Sequence, residues 1–486
     1  MTDKKSSEKL SLWQKIGFGV GDIYGGGSGV IVSFYYLYFL TDVVRINPAL
    51  AGTVILISKV YDAVTDPFEG LLTDRTRTRL GRRRPYLLAG ILLVLLSFFT
   101  LWYPVGFARE WERFAFVILA YLFFSTVVSI VMTAYNALAS ELTLDYNERT
   151  SISSFRIFFS AFASILSAVL PLEIVKLFPS LRTGYIAMGL IFGALFALPF
   201  IATVLSTRER VEFQRPVQPF RWQQAFLDPF KVRTFVFALG MYLLAFVAMD
   251  AVSSIVIYFM KYYMLRGDEA NYVSGTLLVA QVISLPFYVA LSRRTSKKIG
   301  YLVGALIWIG TMLFSFLLTP GAPSFFIYGF AFLVGLGTGG IIVMMYAIFP
   351  DIPDVDELKT GRRQEGTYSA LITFTRKLSS ALAIFMVSNT FALAGYLPPV
   401  EGVVDGASVL VEQPQTATFL LALRLIFAVV PVVLMVFALL FASKYPLDLG
   451  VHQRLNRVLA VRRNGEEETL EISQEGEALS RLLIGG

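Results

Sequence analysis

The chain of 486 residues contains no cysteine and one histidine, and only 16% of its residues are charged. Without cysteine there are no disulfides, iron–sulfur clusters, thiolate zinc sites or cysteine nucleophiles. The single histidine, His452, lies in a polar C-terminal tail, so any proton relay inside a membrane would have to use carboxylates. Soluble domains carry about 25% charged residues, and this chain lacks the polar surface for the roughly three soluble domains its length would suggest. Disorder, collagen, coiled coil and nucleic-acid binding are excluded as main descriptions. Met1 to Lys15 is polar and basic with no apolar stretch before a cleavage site, so the first apolar segment is expected to direct insertion.

What is present is apolar: 56% hydrophobic residues and a mean hydropathy of +0.64. Twelve segments approach the roughly 20 residues that span a bilayer as helix: 17–41, 49–73, 86–107, 114–139, 152–176, 183–206, 234–263, 271–292, 299–319, 324–349, 367–396 and 417–443. Helix is expected for each, because backbone groups in lipid need internal partners. The polar stretch 207–233 divides six spans from six. That predicts an all-α membrane protein of two six-helix bundles, the major facilitator fold. The expected organisation is a bundle over 1–206, a cytoplasmic linker over 207–233, a second bundle over 234–443 and a cytoplasmic tail over 444–486, amphipathic or disordered. With both termini cytoplasmic, 30 of the 42 Lys and Arg lie inside, 7 outside and 5 within spans. This asymmetry meets the positive-inside rule and accounts for the net charge of +7. A multi-pass protein of the inner or plasma membrane is expected.

Ionisable residues within the spans are the informative ones. In the second span Lys59, Asp62 and Asp66 stand at i, i+3 and i+7, one face of a helix. Facing lipid, each would cost about 3 kcal/mol, so they must face a partner or a wet cavity. Two carboxylates one turn apart do not both ionise cheaply without a cation; sodium or a proton is the natural occupant. A purely structural Lys–Asp network is the alternative. Lys377 lies deep in the eleventh span with Thr373 one turn before it, and its ammonium would neutralise the two acids when no cation is bound. Its neighbour Arg376 is placed to snorkel to an interface. In the fifth span Arg156 shares a face with Ser160, Ser164 and Ser167. Two roles are open for it: gripping a hydroxyl-rich or anionic solute, or pairing with an acid on a neighbouring span. The fourth span adds Ser125, Ser129 and Asn136, oxygens suited to a hard cation or a polyol. Asp22 sits in a glycine-rich stretch, GFGVGDIYGGGSG, which reads as a bent or closely packed helix. Tyr35, Tyr36 and Tyr38 are expected in an aromatic belt at the membrane surface; Asp250 and Arg424 have no assignable role.

Several pieces of the chain resemble the glycoside–pentoside–hexuronide:cation symporters, the melibiose-permease-like branch of the major facilitator superfamily. They are FGVGD (18–22), YLYFLTDVV (36–44), KVYDAVTDPFEGLLTDRTRTRLGRRRP (59–85), LDYNERTSISSFR (144–156) and DELKTGRRQEGTYSALITFTRK (356–377). The resemblance implies that Asp62, Asp66 and Ser129 hold the cation, that Lys59 and Lys377 couple it to transport, and that Arg156 lies near the sugar. Asp22, Asn136 and Thr373 complete the expected substrate-binding set. The acids of galactoside carriers fall near Gly26 and at Met132, and their stacking aromatic at Asn136, which argues against a melibiose-type galactoside.

The function expected is cation-coupled symport of a glycoside, pentoside, hexuronide or other sugar by alternating access. A lysolipid or other amphiphile carrier of the same fold is one alternative, and a membrane sensor that does not transport is another. No enzyme is expected, no cofactor beyond the coupling ion (Na+ or H+), and no nucleic-acid partner. The partners foreseen are a small solute, a monovalent cation and membrane lipid, around a monomer.

Overall fold

The computed structural model describes residues 9–143, 145–209, 227–361, 365–404, 407–464 and 469–485. Twelve of its helices are long and apolar enough to cross a membrane, from Leu12–Val43 to Ala417–Lys444. Helix starts follow local chemistry. Asn47 caps the second span by accepting from the Ala49 N–H, with Pro48 preorganised at the first helical position. Asp145, Ser296 and Thr416 cap the fifth, ninth and twelfth spans in the same way. The first span breaks at Val20–Gly21, between Leu12–Gly19 and Asp22–Tyr38. A Cβ on Gly26 would run into the backbone of Ser160, so the glycines there serve a close helix seam, as expected.

One departure from an all-α chain is a two-stranded antiparallel hairpin, Val400–Val404 paired with Ala407–Val411, between the last two spans. Those strands carry the β-branched run that a loop between spans leaves free to pair. The tyrosines of the first span also depart from the expectation. Both Tyr35 and Tyr36 are buried rather than set at a membrane surface: Tyr36 packs against Trp102 and Tyr121, and the Tyr35 hydroxyl donates to Ala168 O.

The first and seventh spans end alike, and this sets the symmetry of the molecule. Each closes with a five-residue π-helical turn, Phe39–Val43 and Phe259–Tyr263, whose first residues are 220 positions apart. Val44 N–H then donates to Phe39 O and Ile46 N–H to Leu40 O; Met264 and Arg266 make the same bonds to Phe259 and Met260. Arg45 (φ 59°) and Leu265 (φ 57°) both take the left-handed conformation at the matching position, uncommon for non-glycine residues.

On the face that carries the termini, ion pairs tie elements of one half to each other. Glu141 holds Arg82 and Arg83. The Glu209 carboxylate accepts the N–H groups of Arg82, Arg83 and Arg84 at 2.6, 2.7 and 2.9 Å, capping the third span. Lys297 pairs with Asp351 at 2.5 Å. Each half is thereby stiffened as a unit.

The tail is ordered helix, Leu449–Asn464 and Leu470–Leu483, packed on the second half. Arg463 binds Asp354 and Glu357. Thr234 Oγ1 donates to Leu483 O at 2.7 Å and Arg233 N–H to Ile484 O at 3.1 Å. Arg454 pairs with Glu475 and holds that carboxyl below its usual range. Leu483 is fully buried, so Leu483→Ala should cost about 2–5 kcal/mol, read as a lower melting temperature of the detergent-purified protein.

Candidate functional site

The second, fourth and eleventh spans bring one group of charges together at mid-depth. Lys59 Nζ lies 3.2 Å from Asp62 Oδ2 within one helix. Ser125 Oγ donates to Asp62 Oδ1 at 2.6 Å, and one turn on Ser129 Oγ donates to Asp66 Oδ1 at 2.5 Å. Lys377 reaches across from the other half: its Nζ is 2.9 and 2.7 Å from the Asp66 oxygens and 3.4 Å from Asp62 Oδ2. The ammonium therefore sits where a small cation between the two carboxylates would sit. Asp62 is 2% exposed and Asp66 32%, so the pair opens to solvent from the Asp66 side. Four carboxylate oxygens and two hydroxyls form an all-oxygen set suited to a hard cation. Among the described residues no three His, Asp or Glu side chains surround one point.

A second group forms between the first, fourth and fifth spans. Arg156 Nη2 donates to Asn136 Oδ1 at 2.6 Å and to Asp22 Oδ1 at 3.2 Å. Its guanidinium lies over the Tyr135 ring, 4.9 Å from the centroid, with Phe18 at 5.8 Å. Its Nε is buried without a hydrogen-bond partner. Of the two roles left open for Arg156, pairing with a neighbouring acid is met. Thr373 stands apart: its hydroxyl donates to Ser369 O of its own helix at 2.9 Å.

Sequence reasoning passed over several residues. Glu69, one turn beyond Asp66, is 6% exposed and its Oε2 has no hydrogen-bond partner; its place in the same helical series was the available signal. Arg376 does not snorkel. It makes a two-pronged pair with Asp250 of the seventh span, Nη1–Oδ2 2.5 Å and Nη2–Oδ1 2.9 Å, so the nearer carboxylate wins over a distant interface. Arg424 lies over the Tyr263 ring at 5.0 Å.

At the face away from the termini the two halves meet in a polar plug. Asp42, 2% exposed, accepts from Tyr262 at 2.5 Å, Tyr396 at 2.6 Å and Thr41 at 2.7 Å, with Lys261 Nζ at 3.5 Å. The contact is nearly self-complementary. Thr41 bonds Tyr258 at 2.5 Å while Lys261 donates to Tyr38 at 2.8 Å, and the second pair is the first displaced by 220 positions in each partner. Asn271 adds bonds to Val169 O at 3.0 Å and Glu173 at 2.9 Å across the same interface.

Comparison with known proteins agrees with this architecture. A putative glycoside/cation symporter of Escherichia coli is 26% identical over 95% of this chain and 98% of its own length. An uncharacterized symporter of Synechocystis is 28% identical over 95% of this chain and 99% of its own. The crystal structure of the nucleoside transporter NupG superposes with a TM-score of 0.60 at 13% identity, over 89% of this chain and 97% of that one, a likeness of fold. A family profile described as MFS/sugar transport protein matches residues 17–449. With two six-helix bundles closed over paired carboxylates, the chain belongs to the MFS/sugar transport protein family.

Proposed function

We propose that the protein is a symporter that couples entry of a monovalent cation to movement of a glycoside-type solute by alternating access. One observation carries the reading: the Lys377 ammonium of the second half is lodged between Asp62 and Asp66 of the first. A cation entering there displaces the ammonium, loosens a tie between the halves and so links ion occupancy to their relative position. The likeness to a glycoside/cation symporter supports the solute class.

The mechanism needs two rigid bodies and two gates. The halves are 1–206 and 234–443, joined by the 207–233 linker, most of which lies outside the described residues, with 444–486 as a tail. The Lys and Arg asymmetry puts both termini in the cytoplasm and the Asp42 plug outside, so the described conformation is closed to the exterior. Asp62, Asp66 and Ser129 hold the ion, Lys59 and Lys377 set their charge, and Asp22, Asn136 and Arg156 meet the solute. One chain supplies both halves, so a monomer suffices in the cell membrane.

The test is uptake of radiolabelled glycosides into proteoliposomes holding the purified protein. An inward sodium or proton gradient should raise accumulation, and collapsing that gradient should return it to equilibration. Saturable uptake indifferent to both ions would refute coupling.

A further inference from the structure

The 220-position relation between the first and seventh spans carries over to the fifth and eleventh. It maps Arg156 onto position 376, which is again arginine. The two arginines thus hold equivalent places in the fifth and eleventh spans, although their acid partners do not, since the same relation takes Asp22 to Tyr242 and Asp250 to Val30. Each is held by an aspartate of the span that begins its half: Asp22 for Arg156, Asp250 for Arg376. Each also lies on an aromatic ring, Tyr135 at 4.9 Å and Phe246 at 4.7 Å.

A structural role alone explains this second pair poorly. Buried ion pairs are often no more stabilising than apolar side chains of the same volume, and each charge carries an insertion cost of about 3 kcal/mol. Nor is the pair sealed: Asp250 is 5% exposed but the Arg376 side chain is 36% exposed at mid-span. A long cation that open to solvent in the middle of a membrane protein lines a wet cavity.

We propose that Asp250 and Arg376 form a second solute-reading station, the counterpart in the second half of Asp22 and Arg156, and that each station takes a pair of adjacent hydroxyls on an uncharged sugar. This assignment rests on the symporter reading above. Each guanidinium already neutralises a carboxylate, so neither station has a whole positive charge left for an anionic solute. What remains suits a diol. One hydroxyl donates to a free lone pair of the aspartate, and the other accepts a guanidinium N–H not engaged by the aspartate. Because the stations belong to opposite halves, a sugar touching both draws the halves together, whereas one touching a single station does not.

The test exchanges the pair, Asp250→Arg with Arg376→Asp, in the full-length protein in proteoliposomes. Methyl β-D-glucopyranoside and methyl β-D-glucuronide are the probes, and the sodium-induced melting shift serves as an independent readout of the ion site. The exchanged protein should melt near the wild type and keep its sodium shift, yet lose uptake or show a KM raised at least about tenfold. Restored uptake would make the pair structural and overturn the proposal. Arg376→Lys keeps the charge but loses the two-pronged geometry, and serves if the exchanged protein does not assemble: a raised KM supports the station and an unchanged KM overturns it. Wild-type protein should favour the uncharged glucoside; preference for the glucuronide would overturn the diol assignment alone. A wild type that moves neither probe, nor any other glycoside, under either gradient would remove the symporter reading itself.

Discussion

Asp66→Asn should equilibrate solute across a membrane without concentrating it. The substitution keeps the Ser129 hydrogen bond but removes the charge that holds Lys377 and, in the proposed mechanism, the cation. A membrane potential contributes about 2.3 kcal/mol per 100 mV for each charge moved, and tenfold in concentration corresponds to about 1.4 kcal/mol. Losing one coupled charge at 100 mV therefore forfeits roughly a 40-fold gradient. Sodium-driven accumulation in proteoliposomes reads this directly, and solute exchange under equal concentrations should survive. Asp62→Asn should show the same loss with a further fall in stability, because Asp62 is the more deeply buried acid and neighbours both Lys59 and Lys377. Wild-type accumulation by both variants would end the assignment of these acids to the ion.

The second large effect is expected at the plug. Asp42→Ala leaves the Tyr262 and Tyr396 hydroxyls without their shared acceptor and takes from Lys261 the more distant of its two carboxylates, Glu412 at 2.9 Å remaining. Removing one member of a buried charged network costs about 3–5 kcal/mol, here from the state closed at the plug alone. The balance between closed and open forms should shift by more than about 100-fold toward opening on that side. The absence of native cysteine makes the measurement clean. A thiol introduced as Thr373→Cys should react with an impermeant maleimide from outside far faster in the Asp42→Ala background. Equal labelling rates in both backgrounds would show that the plug does not gate access.

How much of this was legible beforehand depended on the range of the interaction. Lys59, Asp62 and Asp66 were found because a helical repeat within eight residues puts them on one face, and that repeat is local. Lys377 was found by depth: an ammonium in the middle of an apolar run must have an acid nearby. Its partner could be guessed only because the second span offered an unusual surplus of carboxylate. Arg376 shows the limit. Asp250 is 126 positions away in sequence, and nothing local distinguishes a cation that will find an acid from one that will reach for the interface. Asp42 gave no local signal for the same reason. Beside the end of an apolar run it resembles a surface acid, and the tyrosines that bury it arrive from beyond position 250. The tail read as amphipathic or disordered, and nothing local in it named the second half as the surface it packs on.

The strapping of the tail to the start of the seventh span has a practical consequence. Leu10 N–H and Lys15 are bound to Glu148 at 3.1 and 3.0 Å in the first half, while Leu483 and Ile484 are bound to the second. The two ends of the polypeptide are thus fastened to opposite rocking bodies and act as the tips of a calliper. A donor dye near one end and an acceptor near the other would report the angle between the bodies in a single molecule, without a label in the translocation path.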